Sequence, residues 1–176
     1  RHRLDMWRLH CGVRGGGQGN LQWDVHYRTG SNEVDYQLKG SINPSLGSLS
    51  PTNFHPGKLT QREQGAGADF VRSFDDSPLT LAFGANWRQE TYIIHQGDAG
   101  SIEVGPTASV FGVGSDAFQG FPANAAGRFT QNSDSAYVDA ETNFTDQWSG
   151  AAAVRYERAD NYGSKMVYKL SSRYAF

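Results

Sequence analysis

Histidine is the residue type in this chain best suited to metal binding or acid–base chemistry, and its five copies are scattered along the sequence. They are His2, His10, His26, His55 and His95. A metal site requires three or four ligands that converge on one point. His10 and His26 fall in two neighbouring alternating segments and could face the same side of a sheet, where we interpret them as two polar groups. The sequence therefore predicts neither a metal site nor a cofactor.

Charged residues of both signs alternate with apolar residues in several segments. The members of this set are Arg8, Asp24, Arg28, Asp35, Arg88, Glu90, Arg155, Glu157, Lys169 and Arg173. Opposite charges on neighbouring strands stabilise a sheet by about 0.2–1 kcal/mol per pair. We interpret the set as ion pairing on a solvated face rather than as a catalytic acid–base pair.

The sequence contains no pattern that predicts catalysis or nucleotide binding. Its serines, histidines and aspartates show no spacing that suggests an activated nucleophile. The glycine-rich stretch 15–19 precedes an alternating segment, whereas a phosphate-binding loop is followed directly by a helix. We expect that the chain is not an enzyme and has no catalytic residues.

Two long segments are predicted to be loops: 43–60, which is rich in Pro, Gly and Ser, and 96–132, which is rich in Gly, Ala and Ser. Binding residues concentrate on loops that a rigid scaffold holds in place. We expect the two loops to lie at the same end of a sheet and to share any ligand. The expected ligand-binding residues in or beside them are Phe54, Tyr92, His95, Phe111, Phe118, Phe121 and Arg128. Arg128 could bind an anionic ligand through two hydrogen bonds.

The elements that position these loops are predicted from strict alternation of apolar and polar residues. Trp148 to Glu157 and Lys165 to Phe176 alternate most clearly, with aromatic residues near the ends of each segment. Similar segments cover 3–14, 21–39, 61–74, 79–90 and the stretch from Ala136 to the short break at 145–147. The apolar positions change parity near Gly30, which indicates either one long strand with a bulge or two strands with a turn. The count is therefore seven or eight strands.

Composition excludes several classes of protein. The net charge of −2 gives no basic patch, so we expect no nucleic-acid partner. The chain has no apolar run of about 18 residues, the length that a transmembrane helix needs. Short breaks alternate with long ones along the sequence, a pattern typical of outer-membrane barrels. The predicted fold is all-β: an antiparallel up-and-down meander of seven or eight strands, with residues 1–176 forming a single segment of a transmembrane β-barrel.

Five short segments also resemble those of one family. They are Arg8–Gly15 (RLHCGVRG), Ser41–Gly47 (SINPSLG), Gly84–Tyr92 (GANWRQETY), Ser115–Phe121 (SDAFQGF), and Arg155–Glu157 (RYE) followed by Asn161–Ser164 (NYGS). In order and spacing they resemble the TonB-dependent outer-membrane receptors. The plug domain of that family has no counterpart in this sequence, so the resemblance implies a middle section of a larger barrel.

The resemblance implies transport across the outer membrane of a Gram-negative bacterium. The chain would supply barrel wall in contact with outer-membrane lipid, together with external loops that bind a small nutrient: a siderophore, a vitamin or an oligosaccharide. TonB would be a partner of the full-length protein only. The alternative interpretation is a soluble or surface β-sheet binding module, such as a sandwich or lectin-like domain. A hydrolase on a small outer-membrane barrel would need a catalytic set, and none is visible.

Overall fold

A computed structural model describes residues 2–17, 20–116 and 118–176 of the chain. The strands are β1 (His2–Gly17), β2 (Leu21–Lys39), β3 (Asn53–Phe74), β4 (Ser77–His95), β5 (Gly127–Asn143), β6 (Trp148–Ala159) and β7 (Gly163–Tyr174). In the described residues, helix is limited to a 3-10 segment at Pro44–Leu49 and to one turn, α1, at Ala99–Ile102. No helix in the described ranges has the length and apolar character needed to cross a membrane.

The seven strands form one sheet in which each strand pairs with its neighbours in sequence. The strands are antiparallel, as the registers of β5 with β6 and of β6 with β7 show. The predicted all-β antiparallel meander is therefore confirmed. β2 is a single strand through Gly30, so the described residues form seven strands. Within the described part of the chain, β1 and β7 are the two edges of the sheet and do not pair with each other.

Two element boundaries differ from the sequence prediction. β3 begins at Asn53 and β5 at Gly127, so the observed connections, 40–52 and 96–126, are shorter than the predicted loops 43–60 and 96–132. Pro56 and Gly57 look like a turn in the sequence, because this dipeptide usually ends a strand. In the structure Gly57 has a φ of 133°, a value that glycine adopts readily, and β3 continues through it.

The chain divides into two compact units, which we call the loop unit and the strand unit. The loop unit comprises Arg1–Trp7, Gly30–Arg62 and Thr91–Thr130, and the strand unit comprises Arg8–Thr29, Glu63–Glu90 and Gln131–Phe176. The only large apolar side chains that are buried in the described residues are Leu46 and Phe54, and both belong to the loop unit. The strand unit thus has no conventional hydrophobic core.

In the strand unit, the registers of β5, β6 and β7 separate apolar from polar side chains. Directly opposed residues share a face of a sheet, since side chains alternate along every strand. The apolar face carries Ala136, Val138, Ala140, Trp148, Ala152, Val154, Tyr156, Met166, Tyr168, Leu170 and Tyr174. The polar face carries Ser135, Asp139, Glu141, Arg155, Glu157, Lys165, Lys169 and Arg173. The predicted separation of Val154 and Tyr156 from Arg155 and Glu157 is confirmed.

Candidate functional site

In the loop unit, Asn43 joins the two long connections to each other. Its side chain is completely buried. Its Nδ2 donates hydrogen bonds to the carbonyl oxygens of Gly100 (2.9 Å) and Glu103 (3.2 Å). Its Oδ1 accepts from the backbone N–H (3.2 Å) and the hydroxyl (2.7 Å) of Ser45. One asparagine therefore satisfies polar groups from both connections, which apolar side chains could not do.

Ser45 extends this hydrogen-bond network further into the second connection. Its hydroxyl accepts from the N–H of Gly105 (3.1 Å), and its carbonyl accepts from the hydroxyl of Thr107 (2.9 Å). A Cβ on Gly105 would lie 1.9 Å from the Ser45 carbonyl oxygen, so only glycine fits there. Close contact between the two connections thus depends on small and polar residues, which is the composition that the sequence showed.

Asp98 fixes the start of the second connection. Its carboxylate accepts from the N–H of His55 (2.6 Å) and from the N–H of Ser101 (2.9 Å), and it caps α1. Burial alone would raise the pKa of this carboxyl, but the hydrogen bonds from Ser101 and His55 outweigh burial and hold the pKa below its ordinary value. The carboxylate is therefore ionised at neutral pH and holds β3 against the loop.

Three aromatic rings form a cluster in the loop unit. Tyr36 lies 5.4 Å from Phe118 and 6.2 Å from Phe121, between ring centroids, and Phe118 lies 6.2 Å from Phe121. Such offset and edge-to-face arrangements are the favourable ones for aromatic rings. Phe118 remains 37% exposed, so the cluster is accessible from solvent. It is a surface on which the flat apolar part of a ligand could stack.

The structure brings some of the predicted ligand-binding residues together and separates others. Phe118 and Phe121 share the aromatic cluster, whereas Phe54 is only 3% exposed and packs inside the loop unit. The remaining four residues are Tyr92, Phe111, Arg128 and His95. Tyr92, Phe111 and Arg128 are exposed. The Nε2 of His95 lies 3.4 Å from the Thr60 hydroxyl. The hydrogen bonds of Asn43 show that the two predicted loops contact each other.

A recess of about 300 Å³ lies beside β3 in the same unit. Its lining is formed by Gln37, Leu38, Lys39, Asn53, Phe54, His55 and Asp98. This volume is at the lower limit of pockets that hold small molecules. The lining combines a lysine, a histidine and an aspartate with the apolar residues Leu38 and Phe54, which suits a small ligand with polar groups.

The chain matches no protein-family model, no curated protein and no solved structure.

Sequence reasoning did not find two features of the structure. Tyr36, which completes the aromatic cluster, lies near the loop end of β2, and alternation alone identifies it as a strand residue without indicating its partners in the loop. In the strand unit, Asp24, His26 and Asp69 converge on one point, although no metal site was predicted. The signal for this group was present in the Asp24-Val25-His26 spacing, which places two potential ligands on one face of a strand. The stacking of His10 on His26 confirms that these two histidines share a face.

Proposed function

We propose that this chain forms part of the wall of a transmembrane β-barrel in the outer membrane, together with the external loops of a TonB-dependent receptor. The receptor would import a scarce nutrient: a siderophore, a vitamin or an oligosaccharide. The observation that carries the proposal is the exposed apolar face of the strand unit.

The apolar face is exposed over three adjacent strands. Leu170 is 86% exposed, Tyr168 72%, Met166 51% and Val138 48%. Soluble proteins rarely expose a continuous apolar surface larger than a few hundred Å². In lipid the same surface needs no cover, because hydrocarbon chains solvate it. The exposed face therefore favours the membrane interpretation over a soluble binding module.

The dimensions of this face also suit a bilayer. β6 and β7 have 12 residues each, whereas a tilted membrane-spanning strand needs about 9–11. Trp148 and Tyr174 are directly opposed at one end of the apolar face, and Tyr156 lies towards the other end. Alanine, valine and leucine fill the space between these aromatic residues. Aromatic residues at both ends of an apolar band are typical of membrane barrels, where their rings lie at the level of the lipid headgroups.

The opposite face is suited to water. Arg155 forms an ion pair with Glu157 at 2.6 Å, and Glu157 lies directly opposite Lys165 on β7. In the same unit Arg28 pairs with Glu63 at 3.2 Å. Charged pairs of this kind are typical of the inner wall of a barrel whose interior is polar.

The loop unit supports the binding part of the proposal. Hydrogen bonds of Asn43, Ser45 and Asp98 hold its two connections in place. Ligand binding would therefore cost little conformational entropy in these connections. The exposed rings of Phe118 and Phe111 provide apolar contacts. Arg128 and the recess beside His55 provide polar ones. This combination suits a ligand with both flat apolar and polar parts.

The two edges of the sheet set a further condition. Unpaired N–H and C=O groups each cost several kcal/mol in the hydrocarbon region. In a membrane, β1 and β7 must therefore pair with additional strands. A barrel with a plugged lumen has about 22 strands, so these seven would be about a third of its wall.

The faces can be tested with neighbouring cysteines. In a Cys11→Ser background, Val154→Cys and Arg155→Cys place a thiol on the apolar and on the polar face, respectively. The protein is reconstituted in lipid vesicles and treated with a charged maleimide that does not enter lipid. We expect Arg155→Cys to be labelled and Val154→Cys to be protected, although both react in denaturant.

A second measurement tests transport. Bacteria that produce the full-length protein, in which further strands complete the barrel, are given a radiolabelled candidate nutrient in the presence and in the absence of functional TonB, and we expect accumulation only with TonB, whereas residues 1–176 alone should give none. Equal labelling of both thiols, together with solubility of the protein without detergent, would instead support the soluble binding module. TonB-independent accumulation would contradict the receptor while leaving the membrane barrel intact.

A further inference from the structure

Two strands of the strand unit bring three side chains of metal-ligand type to one point. Asp24 and His26 lie two residues apart on β2, and Asp69 lies on the neighbouring β3. His26 Nδ1 is 3.1 Å from Asp24 Oδ1 and 3.8 Å from Asp69 Oδ2. One ligand atom from each residue lies within 4.8 Å of the other two, and all three residues are half-buried. We call this group the Asp–His–Asp cluster.

These separations are close to those around a small metal ion. The ligand atoms of a tetrahedral Zn²⁺ lie about 2.0–2.1 Å from the metal, which places them about 3.3 Å from one another. The distances from His26 to Asp24 and to Asp69 lie on either side of that value. The two carboxylate ligand atoms lie within 4.8 Å of each other, so binding of one ion requires the aspartate side chains to close on it, while the strands that carry them are already paired.

The carboxylate oxygens that face away from the cluster centre have their own partners. Asp24 Oδ2 lies 3.2 Å from Arg14 Nε, and Asp69 Oδ1 accepts a 2.8 Å hydrogen bond from the Tyr137 hydroxyl. Each aspartate thus directs one oxygen towards His26 and is oriented through the other. A neutral outer donor such as the Tyr137 hydroxyl orients a metal ligand and increases metal affinity, whereas the Arg14 guanidinium orients Asp24 but competes with a cation for its charge.

The imidazole of His26 is held from two further sides. The His10 ring stacks on it with 5.7 Å between centroids and 19° between planes. Gly67 lies beside its Nε2, where an added Cβ would come within 2.7 Å. An added Cβ at Gly84 would likewise lie 2.5 Å from Asp69 Oδ1. The two glycines leave the space in which the cluster can form.

An entry path reaches the cluster. A recess of about 480 Å³ is lined by both aspartates, with Arg14 and Trp23 among the other residues of its wall. The Arg14 side chain is 85% exposed, so it can move without breaking other packing. A hydrated ion can therefore approach the carboxylates from solvent.

We propose that Asp24, His26 and Asp69 bind one divalent transition-metal ion of the Zn²⁺ type, with the fourth position open to water or to a ligand. One imidazole nitrogen and two carboxylates suit Zn²⁺ and similar ions, whereas Ca²⁺ and Mg²⁺ prefer sets made of oxygen alone. The open position makes the cluster a place where a metal chelate or a metal-bound anion can dock on the polar face. This inference rests on the cluster alone and does not depend on the proposed receptor.

The experiment is calorimetric titration of the whole chain in detergent with ZnCl₂. We expect one Zn²⁺ per chain, a Kd at least about tenfold weaker in His26→Ala and in Asp69→Asn, and a Kd about 10–100-fold weaker in Tyr137→Phe, which removes only an outer partner. Ca²⁺ in excess should not displace Zn²⁺.

His55→Ala is the matched control. His55 Nε2 also contacts a carboxylate, Asp35 Oδ1, at 2.5 Å, but in the described residues no third ligand joins that pair. Zn²⁺ affinity should be unchanged in this variant. An equal loss of affinity in His55→Ala and His26→Ala would overturn the proposal, because it would show non-specific binding to histidine.

X-ray absorption of the zinc-loaded wild-type chain identifies the ligands without any substitution, so the proposal stays testable if a variant does not fold. A shell of one imidazole nitrogen with oxygen atoms supports it. A sulfur ligand from Cys11, or several imidazoles, would overturn it. Absence of binding by the wild type, with reduced thermal stability of His26→Ala, would show that the three residues form an ion-pair network only.

Discussion

Asn43 combines complete burial with bonds to both long connections, and its replacement is the most sensitive test of loop order at the residue scale. Asn43→Ala leaves the Gly100 and Glu103 carbonyls without their donor and removes the acceptor of Ser45. Unsatisfied buried groups cost about 1–3 kcal/mol each, so we expect the loop unit to lose about 2–3 kcal/mol of stability. Hydrogen exchange of the backbone amides in 96–126 measures this loss directly.

Asn124→Ala is the control for this substitution. Asn124 is exposed in the connection 96–126. Its replacement should change the free energy of local opening, measured by hydrogen exchange, by less than about 0.5 kcal/mol. Equal effects of the two substitutions would mean that Asn43 does not organise the loops. Ligand affinity, once a ligand is known, should fall in Asn43→Ala alone, because a disordered loop must be ordered again on binding.

Single residues were the part of the site that the sequence predicted least well. Phe118 and Phe121 were expected at the surface of a loop, and the structure places them together with Tyr36. Phe54 was also expected to bind a ligand, but it is buried at the start of β3. Whether an aromatic residue packs or remains exposed depends on tertiary contacts that no local pattern encodes.

At the scale of elements, the Asp98 carboxylate holds α1 and β3 together through hydrogen bonds, and the stability of this contact should depend on pH. Folding lowers the pKa of the Asp98 carboxyl below its ordinary value of 3.8. The stabilisation is therefore complete above that value and is lost as the pH falls through the lower value of the folded state. We expect the protection factors of the His55 and Ser101 amides to fall steeply with acidification below about pH 3.8.

Asp98→Asn separates this effect from general acid denaturation. The variant should show lower protection of the two amides already at neutral pH and no additional step in acid. An unchanged acid step would assign the titration to another carboxyl. Asp160 is one such group, since hydrogen bonds from Asn132 hold its pKa below the ordinary range, but it belongs to the strand unit. Hydrogen exchange of the His55 and Ser101 amides reports on the loop unit, so it distinguishes titration of Asp98 from titration of Asp160.

Strands could be predicted from the sequence because the pattern that determines them is local. β6 and β7 alternate strictly, and their registers match the faces expected from sequence. The connections could not be predicted, because their order comes from hydrogen bonds between residues about 60 positions apart, such as Asn43 with Gly100 and Glu103. The Asp–His–Asp cluster was missed for the same reason, since Asp69 reaches His26 only through the pairing of β2 with β3.

At the scale of the whole molecule, the distribution of apolar residues distinguishes the two environments in which the chain could fold. Only Leu46 and Phe54 are buried large apolar side chains in the described residues, while β5–β7 expose a continuous apolar face. The strand unit thus does not gain its stability from a buried core in water. A lipid bilayer would solvate that face and would leave the polar face to water.

Leu170 and Ser171 are neighbours on opposite faces of β7, and they distinguish lipid from water as the solvent of the apolar face. Leu170 is 86% exposed, so Leu170→Arg should change stability by only about 0.5 kcal/mol if that face lies in water. In a bilayer, arginine near the midplane of the lipid face costs about 2–4 kcal/mol. We expect urea unfolding from lipid vesicles to show the larger loss for Leu170→Arg and a small change for Ser171→Arg. Similar small changes for both variants would contradict the membrane proposal, because an arginine that costs nothing at Leu170 must be reaching water.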